Sequence, residues 1–543
     1  MQRDNSCLSL KCEIPQDDVE FRDDSSLDID NKRLADTGYT PDLNRDFSIL
    51  SILAVGFSVT NSWFGISASL VTGIYSGGTV VTIYGTCFIT LISTCVAISL
   101  SEMASAMPNA GGQYFWASEL APRKWSSFLA YMTGGIAWAG AVFTTASATL
   151  SVASALVGVY QISNPAFVPN FLELNGRLSV FAAYELINIF TGLFNCYGKI
   201  LPVMAKVTLS ISLISMTVIT ITVLAISNPK NSAEFVFATF RNESGWSSPF
   251  IAFMVGLINP NWSFACLDSV THLAEEVPKP ERAIPYAILG TVGIGFVTSL
   301  VYSISIFFAI KDIDGVYLSP TGVPLLEIFK QALESTAGAV ALESLIICTG
   351  VGCLIACHTW QARLAWSFSR DRGLPGSKHW AVVNKELDAP VNAHLLNCVL
   401  VAILGCLYLA SSTAFNSMIT ACIVLLYISY SIPIALLLFA KKRSNLKHGP
   451  FWTGILGLIS NYVVLIWTVF TLVLYSFPYY YPVVAGNMNY VSAVYFLVFS
   501  FLVVYWFIRG RKTFRSKEER DKLAASGVLY RVPSHSRGKT SRE

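Results

Sequence analysis

Between residues 49 and 508 the chain is a succession of apolar runs, and the short stretches between them hold most of the charge of that region. The runs reach roughly 20 residues or more, the length at which a helix crosses a ~30 Å hydrocarbon core. Inside hydrocarbon every backbone N–H and C=O must be paired within the segment, which makes runs of this length helices. Twelve can be marked, near 49–74, 79–106, 127–160, 178–198, 201–226, 249–273, 286–310, 338–366, 391–411, 414–440, 453–477 and 487–508. Composition agrees, since 53% of the 543 residues are hydrophobic and 13% are charged. A soluble chain would carry about a quarter charged residues. The expected fold is an all-α integral membrane domain of twelve transmembrane helices over residues 47–509, with lipid as its solvent.

Residues 1–46 hold twelve Asp and Glu against six Lys and Arg and read as a disordered acidic tail. Residues 510–543 read as a basic tail. The start is charged and lacks an early apolar core, so no secretory leader is expected. Lys and Arg crowd one set of alternate loops, among them Arg123, Lys124, Lys279, Arg282, Arg370, Arg372, Lys378 and Lys441. The opposite loops hold fewer, such as Lys230, Arg241, Lys311 and Lys330. The positive-inside bias therefore puts both termini in the cytoplasm, with the plasma membrane as the expected location. The twelve cysteines are scattered, and Cys348, Cys353 and Cys357 with His358 read as small buried side chains. No metal, cofactor or nucleic-acid partner is expected.

Two of the runs are interrupted by residues that suit hydrocarbon poorly. The first contains "GFSVTNSWFGIS" at 56–67, and the sixth contains "INPNWSF" at 258–264, where Pro260 removes a backbone donor. Irregular backbone at membrane depth persists only where it is buried in protein or lines a cavity. Interruptions at the first and sixth spans are the pattern of two five-helix halves related by an inverted repeat, with a ligand held between them. The competing explanation is a pair of kinked helices whose backbone is satisfied by neighbouring Ser and Thr.

Four stretches carry a family resemblance: "SEMASAMPNAGGQYFW" (101–116), "EEVPKPERAIP" (275–285), "SFSRDRGLP" (367–375) and the sixth-run break. Over residues 47–510 the chain resembles the amino acid–polyamine–organocation transporters. The resemblance implies the five-plus-five inverted repeat with two additional helices. "TNSWFGIS", "NPNWSFACLD", "CHTWQARLAWSFSRD" and "YLASSTAF" narrow it to the choline permease group of the fungal amino acid/choline transporters. That resemblance implies a small cationic substrate, choline or ethanolamine, with thiamine, γ-aminobutyrate or other amino acids as alternatives. Some relatives carry a lysine within the fifth span. Here Lys206 lies at its start and no lysine follows to Ile226, with Ser212 and Ser215 between. Proton co-transport through such a lysine is therefore not supported, and the coupling ion stays open.

A quaternary ammonium has no N–H to donate, so aromatic faces are its natural partners, each worth ~0.5–2 kcal/mol. Trp63, Trp138 and Trp262 are the candidate cage or gate residues, and Thr60, Asn61, Asn259 and Asn261 the candidate polar partners. Each has an ordinary alternative as helix packing. Intramembrane carboxylates are costly and so mark candidate counter-charges or proton sites. Glu185 and Asp268 fall in spans four and six, Glu343 in span eight, and Glu102 near the end of span two. Glu102, Glu275, Glu276, Arg282 and Arg370 read better as a gating salt network. Enzyme readings lack a phosphate loop, a nucleophile elbow or a metal-ligand pair. A receptor on the same fold would need longer tails.

Overall fold

A computed structural model describes residues 24–526 apart from Leu172 and Lys442. Among the described residues regular structure is helical, save one isolated antiparallel bridge between Asn384 and Ala389. The chain begins with α1 (Asp24–Asp36), and the first apolar run divides into α2 (Ile49–Thr60) and α3 (Ser62–Ala68). Ser48 caps α2 through its hydroxyl, which accepts from Ser51 N, while Ser51 Oγ accepts from Ser48 N. Two orphan N–H groups of the first turn are thereby paired. α4 (Leu70–Ala106) bends at Gly77 and Gly78, the latter at φ +69, where a side chain would be strained. The expected second span begins at this bend.

There follow α5 (Gln113–Leu120), α6 (Arg123–Ser163), α7 (Leu174–Phe194), α8 (Leu201–Ile226) and α9 (Ala233–Phe237). The sixth run becomes α10 (Pro249–Gly256), α11 (Ile258–Ser263) and a 3-10 turn over Ser269–Leu273. The second half contains α12 (Pro280–Phe308), α13 (Ile313–Tyr317), α14 (Pro324–Leu333), α15 (Thr336–Arg370) and α16 (Ser377–Trp380). It ends with α17 (Val391–Ala410), α18 (Ser412–Ala435), α19 (Ile455–Leu474), α20 (Val491–Tyr505), α21 (Arg511–Thr513) and α22 (Lys517–Ala525).

Eleven segments among the described residues are long and apolar enough to cross a membrane, the α2–α3 pair taken as one. The run at 249–273 is absent from that set because it is divided into pieces too short to qualify. The long helices pack around α6 and α12: α6 lies against α15 and α18, and α12 against α4 and α2. On the outside, Leu186, Ile189 and Leu193 of α7 and Ile214 and Ile221 of α8 are exposed. Apolar stripes of that kind are stable facing lipid and costly facing water.

The expectation of a disordered tail fails for the described part of residues 1–46. Asp30 Oδ2 accepts from Lys279 N at 2.9 Å, and Arg45 Nη1 donates to Val277 O at 2.8 Å. Tyr39 is buried, and its hydroxyl donates to Asp371 Oδ2 at 2.7 Å. Burial pushes that phenol well above its usual range. From the other end, Arg515 donates to Gly38 O at 2.8 Å, and Arg520 to Ser118 Oγ at 2.7 Å. The guanidiniums of Arg370, Arg515 and Arg520 lie 4.2, 5.1 and 5.7 Å from the Tyr39 ring. Both ends of the described chain thus share one face of the helical domain. Composition missed this because Asp30 and Tyr39 find fixed partners there. Residues 1–23 and 527–543 lie outside the described residues.

Candidate functional site

The first interruption is a single residue. Asn61 sits at φ +33, ψ 63, ending α2 and starting α3. Asn tolerates left-handed backbone better than most side chains because it is short and hydrogen-bonds locally. Its surroundings satisfy it: Ser212 of α8 donates to Asn61 Oδ1 at 3.2 Å and accepts from Trp63 Nε1 at 2.9 Å. The Trp63 ring is fully buried and packs edge-on against Tyr302 at 5.1 Å. Thr60 Oγ1 reaches across to the sixth run and donates to Ala265 O at 3.2 Å. Ser62 Oγ is buried with no hydrogen-bond partner.

The second interruption is not where Pro260 predicts it. Pro260 is the third residue of α11, and the first turn of a helix has no intrahelical use for its N–H groups. The backbone opens only after Ser263, across Phe264–Asp268, with Cys266 at φ +66. Asn259 Nδ2 donates to Ile66 O at 3.1 Å and Ser69 Oγ at 2.7 Å, which ties α11 to the end of α3. Asn259 Oδ1 is buried and unpartnered. Asn261 accepts from Tyr427 at 2.9 Å and donates to Tyr475 at 2.7 Å. Trp262 is 8% exposed, and its Nε1 donates to Ser147 Oγ at 3.3 Å. The two broken runs touch: a Cβ on Gly65 would lie 2.7 Å from Ser263 Cα.

Six of the seven expected substrate contacts, Thr60, Asn61, Trp63, Asn259, Asn261 and Trp262, are gathered at these two breaks. Trp138 is not. It donates to Asn397 Oδ1 of α17 at 2.9 Å. On α6 it lies nine residues from Ser147, about 13 Å of helix rise. Glu185 is also peripheral: it lies beside Gly405 of α17 with Oε1 unpartnered. Glu343 is buried in α15 and its Oε2 has no partner.

The expected salt network is three separate pairs. Arg370 binds Glu275 through two bonds of 2.6 and 2.8 Å, and Arg363 binds Glu276 through two of 2.9 and 3.0 Å. Such bidentate geometry is the strong form of the interaction. Burial raises the Glu276 carboxyl, and the neighbouring Arg363 opposes that rise. Glu102 instead pairs with Arg443 at 2.7 Å and accepts from Thr453 N at 2.8 Å, away from the other pairs in sequence and partner. Arg282 is exposed and forms no ion pair among the described residues, so its place in the network is corrected. Asp268 lies at the end of the second break, where its Oδ1 accepts from Tyr430 at 2.5 Å and its Oδ2 is 3.3 Å from His272 Nε2.

Ser147, Tyr302, Tyr475 and His272 contribute to this region without having been picked out from sequence, and Ser212 was noted only where a lysine was missing. Ser147, Ser212, Tyr302 and Tyr475 belong to elements distant in sequence from the breaks, and a single Ser or Tyr in an apolar run carries no periodic signal. A motif does exist for His272, in the four-residue spacing from Asp268.

The model of the amino acid permease family matches residues 47–500. A choline transporter of Saccharomyces cerevisiae is 53% identical over 495 residues, covering 91% of this chain and 86% of the relative. The swainsonine transporter swnT of Arthroderma benhamiae is 35% identical, covering 87% and 93%. A 7-keto 8-aminopelargonic acid transporter of Saccharomyces cerevisiae is 34% identical, covering 85% and 91%. These relatives are transporters rather than enzymes. The extent of the match, with helices that suit a bilayer and two broken runs in contact, shows that the chain belongs to the amino acid permease family of the amino acid–polyamine–organocation transporters.

Proposed function

We propose that this protein is a secondary-active permease that imports choline, and with it ethanolamine, across the plasma membrane. The observation that carries the substrate choice is the 53% identity to a choline transporter over 91% of the chain. The breaks suit a quaternary ammonium on chemical grounds. Trp262, Tyr427 and Tyr430 supply aromatic faces beside the second break, and Trp63 and Tyr302 beside the first. Ser62 Oγ and Asn259 Oδ1 are buried polar atoms without a hydrogen-bond partner at the two breaks. In this reading twelve spans form a five-plus-five inverted repeat with two further helices, and both termini are cytoplasmic. Alternating access then opens the breaks to each side in turn, driven by an ion gradient, with the proton as the coupling ion.

The test is uptake of labelled choline in yeast lacking its own choline permease, with unlabelled ethanolamine, thiamine and γ-aminobutyrate as competitors. Saturable uptake blocked by ethanolamine is expected. Absent choline uptake, with thiamine or γ-aminobutyrate carried instead, overturns the substrate while leaving the family intact.

A further inference from the structure

We propose that Asp268, His272 and Tyr430 form a proton-binding site whose loading is coupled to closure of the second break; the coupling part rests on the permease reading above. His272 Nδ1 lies 2.7 Å from the carbonyl oxygen of Ala110. A carbonyl only accepts, so Nδ1 carries a hydrogen. A neutral ring of that tautomer presents a bare lone pair at Nε2, yet Nε2 faces Asp268 Oδ2 at 3.3 Å. Lone pair against carboxylate is repulsive. One further proton therefore lies between them, held as imidazolium with carboxylate or as neutral imidazole with carboxylic acid. Oδ1 is already committed to the Tyr430 hydroxyl at 2.5 Å.

The surroundings offer no substitute for that proton. Both side chains are fully buried, and His272 is the only ion-pair partner of Asp268 among the described residues. From α18 comes the neutral Tyr430, and from the broken stretch itself the thiol of Cys266. α2 carries no titratable side chain. α15 brings Arg363 and Arg370, each engaged by Glu276 or Glu275. α12 brings Glu281, which pairs with Arg33, and Arg282, which is exposed. The turn before α5 supplies backbone only: a Cβ on Gly112 would lie 3.1 Å from His272 Cε1.

Loss of the shared proton in this packed arrangement leaves a buried carboxylate without a charged partner, which is strongly unfavourable. Release therefore requires water to reach the pair, and Asp268 is the last residue of the opened stretch Phe264–Asp268. Proton binding and closure of the break become one event. Per cycle one proton adds to Nε2 or Oδ2 from water on one side and leaves to water on the other. No other bond changes.

Asp268→Asn satisfies the same contacts without the proton, since its amide N–H meets the Nε2 lone pair and its carbonyl keeps Tyr430. Full-length protein is reconstituted in liposomes enclosing a pH-sensitive dye, with the potential clamped by potassium and valinomycin. Wild type is expected to accumulate choline down an inward proton gradient while the lumen acidifies. Asp268→Asn is expected to lose both signals while choline counterflow remains detectable. Accumulation driven by the pH gradient in Asp268→Asn, or by sodium alone in wild type, overturns the proposal. Absent counterflow in wild type counts against the substrate reading instead. Infrared titration of the purified protein then decides the site. A carboxyl or imidazole band that titrates in wild type and vanishes in Asp268→Asn and His272→Gln supports it, and identical titration in all three overturns it.

Discussion

Trp262 commits its single N–H to Ser147 and leaves its ring beside the open stretch of the sixth run. That division of labour suits an aromatic face kept for a cation. Trp262→Ala is expected to raise the KM of choline uptake about tenfold, as the loss of one cation–π contact of ~1–2 kcal/mol requires. Trp262→Phe should recover most of that loss, because a smaller face remains. Equal kinetics in all three proteins, at matched surface expression, would remove Trp262 from the site. Asn61 poses a different problem, since its backbone is left-handed and its side chain accepts from Ser212. Asn61→Leu strains the turn and strands the Ser212 hydroxyl, a cost of ~1–3 kcal/mol, so transport is expected to fall about fivefold to 150-fold. Wild-type uptake by this variant would show that the first break has no role in binding.

The two broken runs work as a pair because they touch. Gly65 packs against Ser263, Thr60 bonds to Ala265 O, and Asn259 bonds back to Ile66 O. α3 and α11 are thereby locked as one polar block inside the apolar bundle. Gly65→Val pushes a branched side chain into the Ser263 backbone, and overpacking of this kind costs about 1–3 kcal/mol. The expected outcome is loss of uptake with lowered thermal stability in detergent, and Gly65→Ala should lie between the two. A fully active, equally stable Gly65→Val would mean that the runs separate during the cycle and that this contact is dispensable.

On the whole molecule, the two ends of the described chain form a clasp around Tyr39 on the face that carries both of them. Three guanidiniums surround its ring and Asp371 holds its hydroxyl, so removing the ring releases contacts from both ends at once. Tyr39→Ala is expected to make the segment around residues 37–46 cleavable by trypsin at Arg45 in the native protein, while Tyr39→Phe stays resistant. Equal resistance in all three would show that the other contacts of α1 and α22 suffice. The Glu275–Arg370 pair lies directly under this clasp, with Arg370 shared between Glu275 and the Tyr39 ring. The terminal segments therefore sit where they restrain any opening of that salt bridge.

Hydropathy and length alone determined that the domain is helical and suited to a bilayer, because hydrocarbon leaves the backbone few choices. The polar interruptions at Asn61 and in the sixth run were legible for the same reason: polar residues at membrane depth demand a partner. What those partners are was decided by tertiary structure. Pro260 looked like the break, yet its missing donor falls in a first turn that does not need one. Trp138 looked equivalent to Trp262, but its position along α6 delivers it to Asn397. Arg282 shares a motif with Glu275 and Glu276, while the arginines that reach those carboxylates come from α15. The proton shared by Asp268 and His272 is implied only once the carbonyl of Ala110 is placed against the ring. Periodicity reports which face of a helix is buried. It does not report which distant residue meets it, and at this site the chemistry lies in those meetings.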